Sequence, residues 1–497
     1  MFDLFLGGIT NILTDPFALL MALLGVIIGI VVGALPGLTA TMGVALILPV
    51  TFGMDPVAGL LLLSGVYFGG VYGGSITAIL LNTPGTPAAA ATALDGYALA
   101  QKGLAGKALG AATLSASIGG TISIFILMFL SPILANIALE FSAPEMFALA
   151  VFGLSIIASI SGKSLVKGLI AGLVGLLLAM IGMDPLIGLP RFTGGHEELM
   201  NGVPFIPIMI GLFAASEAFK SLSEMNLKEK VKVKIEKIMP SWSEFRGLIP
   251  TILRSTGIGT FIGIIPGAGA EIAAFVSYNE TKRFNKDKEP TDKSRLAGVS
   301  ACEAGGNGCT GGALVPLLTL GIPGDAVTAV MLGALMVQGL QPGPLLFKNN
   351  GDLVYTLFIG MVICYFIMCF LGLVACRYFA KVVQIPKQIL TPLILVLCVV
   401  GSYAINNSFF DVVMMAVAGV IGFFMQKHDF PASPVVLALI LGPMAESQFR
   451  RALALSNGSF DIFFTRPIPL VLLLISLITL LTPIIRAIWQ QRKRAHQ

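Results

Sequence analysis

The stretch from Gly69 to Ala90 reads GGVYGGSITAILLNTPGTPAAA, and the stretch from Gly305 to Ala329 reads GGNGCTGGALVPLLTLGIPGDAVTA. Each has a glycine-rich part, then an apolar part, then a Pro-Gly dipeptide: Pro84-Gly85 in the first and Pro323-Gly324 in the second. Proline removes a backbone donor and glycine allows backbone angles that other residues avoid, so each dipeptide is expected to interrupt a helix. The two stretches predict a chain built from two related halves.

A second pair of dipeptides stands upstream of each stretch. The run GALPG contains Pro36-Gly37, and the run GIIPG contains Pro266-Gly267, each in the same place relative to its flanking apolar runs. The spacing to the later dipeptide is longer in the second half, largely because of the polar segment Asn279–Ser294. Four breaks at matched places indicate a repeat rather than isolated kinks.

The composition places both halves in a membrane. Hydrophobic residues make up 56% of the 497 positions and charged residues 11%, against roughly 25% charged in soluble proteins. Runs such as Phe17–Val32, Ala111–Leu130, Leu165–Ile181 and Leu470–Ile485 are about long enough to cross the hydrocarbon core as helices. The sequence predicts an all-α polytopic membrane protein with roughly 10–14 transmembrane or re-entrant helices.

Loop charge predicts that the two halves are inverted. The first-half turn Thr51–Pro56 carries no lysine or arginine, whereas the matching second-half turn has six between Lys282 and Arg295. The positive-inside rule then places the second turn, the basic central loop and the basic tail in the cytoplasm. Arg450, Arg451 and Arg466 fall on the outer side and count against this scheme.

The resulting domain prediction has four parts. Residues 1–219 form the first membrane repeat and residues 220–246 a basic cytoplasmic linker. Residues 247–446 form the inverted second repeat, and residues 447–497 an outer loop, a last transmembrane helix and a cytoplasmic C-terminus. Inverted repeats with broken helices are typical of alternating-access transporters.

The helix breaks are the predicted binding site. A break at membrane depth creates helix N-termini, whose N–H groups and dipole attract anions. In the first half the neighbouring side chains are amides and hydroxyls without an acid, which favours an anionic ligand. The predicted substrate-binding residues are Pro36, Gly37, Thr39, Asn82, Thr83, Pro84, Gly85, Thr86, Pro266, Gly267, Pro323, Gly324 and Asp325.

The second half adds acidic side chains near its breaks. Ionisable groups at membrane depth are costly and usually functional, so Glu303 and Asn307 are candidates for a coupling-ion site, with Na⁺ or H⁺ as the ion. Two alternatives stay open: Glu303 could lie near the cytoplasmic surface, and Asp325 could cap the helix that starts at Ala326. The threonines could equally bond to nearby helix carbonyls.

Other chemistry is disfavoured. Cys302 and Cys309 lack the spacing and histidine partners of a zinc site. The chain has no GxxxxGK[ST] phosphate loop and no nucleophile–histidine–acid set. We therefore expect no enzyme activity, no cofactor and no nucleic-acid partner.

Several long motifs resemble one family. The runs GALPGLTATMGVALILPVTFGMDP, YGGSITAILLNTPGTPAAAATALDGYALAQKGLAGKALG, IIPGAGAEIAAFVSYNETKR, EAGGNGCTGGALVPLLTLGIPGD and MVQGLQPGP are similar to the large membrane subunit of the tripartite tricarboxylate transporters. The resemblance extends from about Leu19 to Ser447. It implies a bacterial inner-membrane importer of carboxylates such as citrate, or of dicarboxylates, driven by a cation gradient. It also implies a small membrane subunit and a periplasmic solute-binding protein as partners.

The resemblance carries site residues with it, namely Asn82, Thr83, Pro84, Gly85, Pro323 and Gly324 as the substrate site. Two other functions remain open at this stage: an anion-conducting channel, which would also line its pore with broken helices, and a carrier for another small organic anion.

Overall fold

The structure, a computed structural model, describes residues 2–35, 38–155, 157, 164–184, 187–223, 238–267, 269–284, 291–375, 378–379 and 387–495. Up to residue 223 the helices are α1 Phe2–Thr14, α2 Pro16–Ala34, α3 Ala40–Ile47, a 3₁₀ turn Leu48–Thr51, α4 Pro56–Leu81, α5 Ala89–Gln101, α6 Ala105–Ala138, α7 Ala143–Ser155, α8 Leu165–Ala179, a 3₁₀ turn Glu197–Leu199, α9 Phe205–Met209, a π-helical segment Ile210–Ala215 and α10 Ser216–Ser223. After residue 237 they are α11 Trp242–Ile264, α12 Gly269–Phe284, α13 Asp292–Leu320, α14 Ala326–Val337, α15 Pro344–Asn349, α16 Gly351–Val374, α17 Lys387–Asn406, α18 Phe409–Lys427, α19 Ser433–Leu455, α20 Ile462–Thr465 and α21 Pro467–Ala495. Two short strands, β1 Gly182–Met183 and β2 Pro190–Arg191, pair antiparallel.

The prediction of an all-α polytopic membrane protein is confirmed. Within the described part of the chain, seven helical segments are long and apolar enough to cross a membrane, and six shorter ones are also apolar. The long segments are Pro16–Ala34, Pro56–Leu81, Ala105–Ala138, Phe205–Leu222, Trp242–Ile264, Gly351–Val374 and Phe409–Lys427. Helices that bury their own backbone polar groups are the expected solution in lipid.

The chain forms two compact units. The first contains Met1–Asn136 and Glu217–Ile405, and the second contains Ile137–Ser216 and Asn406–Gln497. Each unit therefore draws on both halves of the sequence. The predicted repeat boundaries concern sequence duplication rather than packing, and they stay a prediction.

In the first unit, α2 and α4 pack in parallel at very short distance. A Cβ added to Gly25 would lie 2.2 Å from Leu62 O, and one added to Gly33 would lie 2.2 Å from Gly70 O. From Gly25 to Gly33 the residue number in α2 rises by eight, and the contacted residue in α4 also rises by eight, from Leu62 to Gly70. The two helices therefore run in the same direction. Small residues at regular spacing allow such close backbone approach between membrane helices.

Helices α11 and α13 repeat this arrangement. A Cβ on Gly259 would lie 2.1 Å from Gly305 O, and one on Gly263 would lie 2.3 Å from Cys309 O. These helices are parallel for the same reason. In each half a shorter helix, α3 or α12, connects the parallel pair.

The ends of α4 and α13 are also alike. Asn82 and Gly321 both have left-handed backbone angles, with φ of 51° and 71°. The next N–H donates to a carbonyl six residues earlier, from Thr83 to Thr77 O and from Ile322 to Pro316 O. Both helices therefore end in a left-handed residue, as helix C-termini commonly do. Matched caps immediately before the Pro-Gly dipeptides show that the two halves share a local structure.

Where α4 and α13 touch, they are antiparallel. Ser75 on α4 meets Glu303 on α13, and a Cβ on Gly306 would lie 4.0 Å from the Val71 side chain. Residue numbers in α4 fall from 75 to 71 as those of their partners in α13 rise from 303 to 306, so the two helices run in opposite directions. The following helices cross over: α5 packs on α12 and α13, and α14 packs on α3 and α4.

The second unit is organised around α19, which packs on α7 and α8. Asp184, buried beside β1, accepts a hydrogen bond of 2.6 Å from Arg450, while Arg191 forms two hydrogen bonds with Glu446. A further ion pair joins Arg466 and Glu145. Two of the three arginines that opposed the loop-charge scheme therefore have local carboxylate partners.

Candidate functional site

The segment between α4 and α5, which contains Pro84-Gly85, is called here the first-half break. It lies against the end of α2 and the middle of α4. Gly85 N–H donates to Gly74 O at 3.3 Å. A Cβ on Gly85 would be only 2.0 Å from Gly33 O and 3.0 Å from Gly74 Cα. Only a residue without a side chain fits between these two helix backbones, which explains the glycine of the Pro84-Gly85 dipeptide.

The polar side chains at this break differ in their partners. Thr39 caps α3 by accepting a hydrogen bond from Met42 N, and Thr83 donates to Leu81 O. Asn82 is exposed in its left-handed conformation. Thr86, in contrast, is 5% exposed, and its Oγ1 has no hydrogen-bond partner among the described residues. Thr86 therefore carries a buried hydroxyl, packed against Gly74, that has no hydrogen-bond partner among the described residues.

Thr86 is also close to a helix N-terminus without a side-chain cap. Helix α5 begins at Ala89, and no side chain bonds to its first N–H groups, although two of them bond to Thr86 O and Pro87 O. The positive end of the helix dipole favours an anion there. Pro36 and Gly37, also predicted for this site, lie outside the described residues.

The second-half break is the segment between α13 and α14, which contains Pro323-Gly324. This dipeptide is in direct contact with Pro266-Gly267. Gly267 N–H donates to Gly324 O at 2.6 Å, and Pro266 and Pro323 are buried. A Cβ on Gly324 would lie 2.5 Å from Ala313 Cα, the counterpart of the contact that Gly85 makes with Gly74. The two breaks thus share this close contact between the Pro-Gly glycine and the preceding helix.

Their electrostatics differ, because Asp325 takes the place that Thr86 has in the first half. Asp325 is the N-cap of α14 and forms a capping box with Thr328. Its other carboxylate oxygen accepts a hydrogen bond of 2.5 Å from Tyr67 OH on α4. The N-terminus of α14 already has a carboxylate of the protein, whereas no described side chain caps that of α5.

Glu303 is buried at the contact between the halves, with 4% of its surface exposed. Its Oε1 accepts hydrogen bonds from Ser75 on α4 and, at 2.6 Å, from Thr92 on α5. Ser75 is the residue after Gly74, and Thr86 packs against Gly74. Helix α5, which carries Thr92, is the helix that follows the first-half break. The carboxyl group of the second half therefore lies beside the first-half break.

Asn307 lies one turn further along α13 and is fully buried. Its Nδ2 donates to Glu303 O at 3.1 Å, while Oδ1 has no partner among the described residues. Thr310 and Tyr365 form a hydroxyl pair at 2.6 Å, and Tyr365 OH also reaches Asn307 O. Glu303, Asn307 and Thr310 thus form a polar seam along one side of α13.

Three partners in this site were missed by the sequence reasoning: Tyr67, Ser75 and Thr92. Each bonds to an acid more than 200 positions away. Ser75 lies inside the glycine-rich stretch, and this position is the one sequence feature that could have indicated its role. Within the described residues, no group of three or more His, Cys, Asp or Glu side chains could hold a metal ion.

Comparison with known proteins identifies a family for this chain. The model of the "Tripartite tricarboxylate transporter TctA family" matches residues 19–437. The chain is 37% identical over 463 residues to "Uncharacterized 52.8 kDa protein in TAR-I ttuC' 3'region" of Agrobacterium vitis, covering 93% of this chain and 92% of that protein. It is 32% identical over 234 residues to "Uncharacterized protein in TAR-II ttuC' 3'region" of the same organism, covering 47% of this chain and 97% of that protein. No solved structure matches it. The chain belongs to the tripartite tricarboxylate transporter TctA family.

Proposed function

We propose that this chain is the membrane subunit of a carboxylate importer and that it binds a substrate carboxylate at the first-half break. The observation that carries this proposal is the combination of two features: the N-terminus of α5 has no side-chain cap, and the buried hydroxyl of Thr86 has no partner among the described residues. A carboxylate placed there would accept hydrogen bonds from Thr86 and would lie at the positive end of the α5 dipole. The substrate class is a tricarboxylate such as citrate, or a dicarboxylate.

The second-half break has a different role in this proposal. Asp325 occupies the N-terminus of α14 and would repel an anion, so this break supports the scaffold through Tyr67 instead. The inverted-repeat arrangement is part of the same proposal. It is supported by the antiparallel contact of α4 and α13, two helices with the same cap and the same following dipeptide.

Transport is driven by a cation gradient, with Glu303 and Asn307 as the ion-binding candidates. Their burial beside the first-half break supports this assignment, since an unpaired carboxyl inside a membrane protein is usually functional. A periplasmic binding protein delivers the substrate and a small membrane subunit completes the complex in the bacterial inner membrane, with the C-terminus in the cytoplasm. Family membership supports the partners, and loop charge supports the orientation.

The test is uptake by proteoliposomes that contain this chain with its partner subunits. Radiolabelled di- and tricarboxylates are screened under separate Na⁺ and pH gradients, with counterflow as a gradient-independent measure. Saturable uptake with low turnover supports a carrier, whereas unsaturable conductance would favour an anion channel. An assembled complex that shows neither carboxylate uptake nor counterflow would refute the proposal.

The site itself is tested by Thr86→Val. Loss of a hydrogen bond to a charged ligand weakens binding by about 1.5–3 kcal/mol, or roughly 10- to 100-fold in apparent affinity. The matched control is Thr10→Val, because Thr10 is exposed and bonds only within its own helix. Equal affinities for the two variants would show that the substrate binds elsewhere.

Asn82 requires a different substitution, because its backbone is left-handed. Alanine would strain the helix end as well as remove the amide, so Asn82→Gly is the informative change. Gly321 already fills the equivalent position in the second half. A rise in KM for Asn82→Gly without loss of thermal stability would assign the amide to the substrate.

A further inference from the structure

From the position of Glu303 we infer that the coupling ion is a proton, which Glu303 binds together with the substrate. This inference rests on the proposed carboxylate site at the first-half break. It names the ion and explains why ion and substrate travel together.

The starting point is the short path between the two groups. Thr86 packs on Gly74, the next residue is Ser75, and Ser75 donates to Glu303 Oε1. Since adjacent Cα atoms are 3.8 Å apart, the carboxyl of Glu303 and a carboxylate bound at Thr86 would be on the order of 10 Å from each other. Both would be enclosed by protein, where charges are weakly screened.

Two negative charges at that distance oppose one another. At an effective dielectric constant of about 20, their repulsion lowers affinity for the substrate roughly tenfold. A proton on Glu303 removes this repulsion. Substrate binding therefore favours proton binding, and by reciprocity proton binding favours the substrate. This mutual dependence is the thermodynamic basis of symport.

The local geometry fits a proton better than Na⁺. Ser75 and Thr92 both donate to Oε1, which leaves Oε2 as the position for the proton. A sodium ion needs several oxygen ligands, and transporters commonly supply them from unwound backbone. Around Glu303 the helix α13 is continuous from Asp292 to Leu320, so its carbonyls are engaged in helical hydrogen bonds. The carbonyl of Glu303 itself also accepts from Asn307.

In the part of the chain that the structure describes, the neighbouring helices place no counter-charge on Glu303. Asp95 on α5 is paired with Lys282 on α12 at 2.6 Å, Tyr72 on α4 bonds to Thr113, and Tyr365 on α16 bonds to Thr310. Tyr278 on α12 packs beside Cys302 on α13. Helices α6 and α11 present glycines, Gly119 and Gly259, at this level.

The proton step changes only one bond. One proton from the outer solution bonds to a carboxylate oxygen of Glu303, which becomes a neutral carboxylic acid. After the site opens to the inside, the O–H bond breaks and the proton leaves with the substrate. No oxidant or further reactant takes part.

The experiment compares the wild type, Glu303→Gln and a matched control in proteoliposomes with the partner subunits, using radiolabelled citrate with succinate in parallel. Glutamine keeps the size of the side chain and mimics its protonated form. The control is Glu280→Gln, which removes an acid from α12 that pairs with Arg283 near the helix end. The membrane potential is clamped at zero, and an internal pH dye records proton movement.

We expect the wild type and Glu280→Gln to accumulate the probe roughly tenfold for each pH unit when one proton is carried per substrate. In these two proteins, substrate entry acidifies the interior. Glu303→Gln should keep counterflow, lose accumulation and acidification, and have an apparent affinity that no longer falls as pH rises. Titration of the probe itself affects all three proteins equally.

Three outcomes would contradict the inference. Accumulation by wild type with a Na⁺ gradient alone and no proton movement would refute the proton while leaving the transport function intact. Acidification by Glu303→Gln equal to that of the control would show that another group carries the proton. If Glu303→Gln does not fold, the double variant Ser75→Ala, Thr92→Val replaces it, and an unchanged pH profile in that variant would exclude Glu303.

Discussion

Two glycines on one helix offer a direct test of the close packing between α11 and α13. Gly259 faces α13, and a Cβ there would lie 2.1 Å from Gly305 O. Gly257, two residues earlier on the same helix, is exposed and has nothing within 4 Å of an added Cβ. Alanine is the smallest change possible at either position, so the pair isolates the effect of one methyl group.

The expected effects have opposite signs. A Cβ contact below 3.0 Å requires movement of a backbone atom, and overpacking of this kind costs about 1–3 kcal/mol. At Gly257 the same substitution gains up to about 1 kcal/mol from helix propensity. Each protein is purified in detergent and its apparent melting temperature is measured by thermal unfolding, where about 1 kcal/mol corresponds to roughly 2 °C. Equal shifts for Gly259→Ala and Gly257→Ala would refute the parallel close packing.

Three further predictions concern polar contacts in the two units. Lys282→Met should destabilise the chain by about 3–5 kcal/mol, because it leaves the buried carboxylate of Asp95 without its lysine partner. Thermal unfolding measures this loss. Combining Lys282→Met with Asp95→Asn should recover much of the lost stability. Arg450→Met should lower stability because it removes the 2.6 Å ion pair of buried Asp184. The double variant with Asp184→Asn should again lose less stability than the sum of the single variants. Additive losses of stability in either double-mutant cycle would contradict the pairing. Tyr67→Phe should cost about 1–3 kcal/mol by removing a donor to the N-cap of α14, and it should lower transport rate more than substrate affinity in an uptake assay.

The helix breaks at Pro84-Gly85, Pro266-Gly267 and Pro323-Gly324 could be predicted because they depend on the local sequence. Proline restricts the backbone and glycine relaxes it wherever they occur, and matched runs in the two halves predict a duplication without knowledge of contacts. The left-handed helix ends at Asn82 and Gly321 follow the same logic, since both residues tolerate a left-handed backbone. Membrane location followed from apolar length alone.

The partners of the acids could not be predicted, because they depend on how distant helices cross. Glu303 bonds to Ser75 and Thr92, and neither spacing nor residue type distinguishes these from other hydroxyls in the membrane. The division into two compact units was also invisible, since residues 137–216 and 406–497 associate across a long separation in the chain. Pairings of this kind belong to the tertiary structure.

In the proposed function, the difference between the two breaks leaves one anion site rather than two. Backbone packing is conserved between the halves, with Gly85 against Gly74 and Gly324 against Ala313. The next residue then decides the electrostatics: Asp325 places a carboxylate of the protein on the N-terminus of α14, while Thr86 places only a hydroxyl near that of α5. Because the dipoles are alike, a ligand carboxylate at the first break would replace what the protein itself supplies at the second. Thr86→Asp should therefore mimic the second break and abolish carboxylate uptake, whereas Thr86→Ser should preserve it; uptake by Thr86→Asp at the rate of Thr86→Ser would show that this terminus does not bind the substrate.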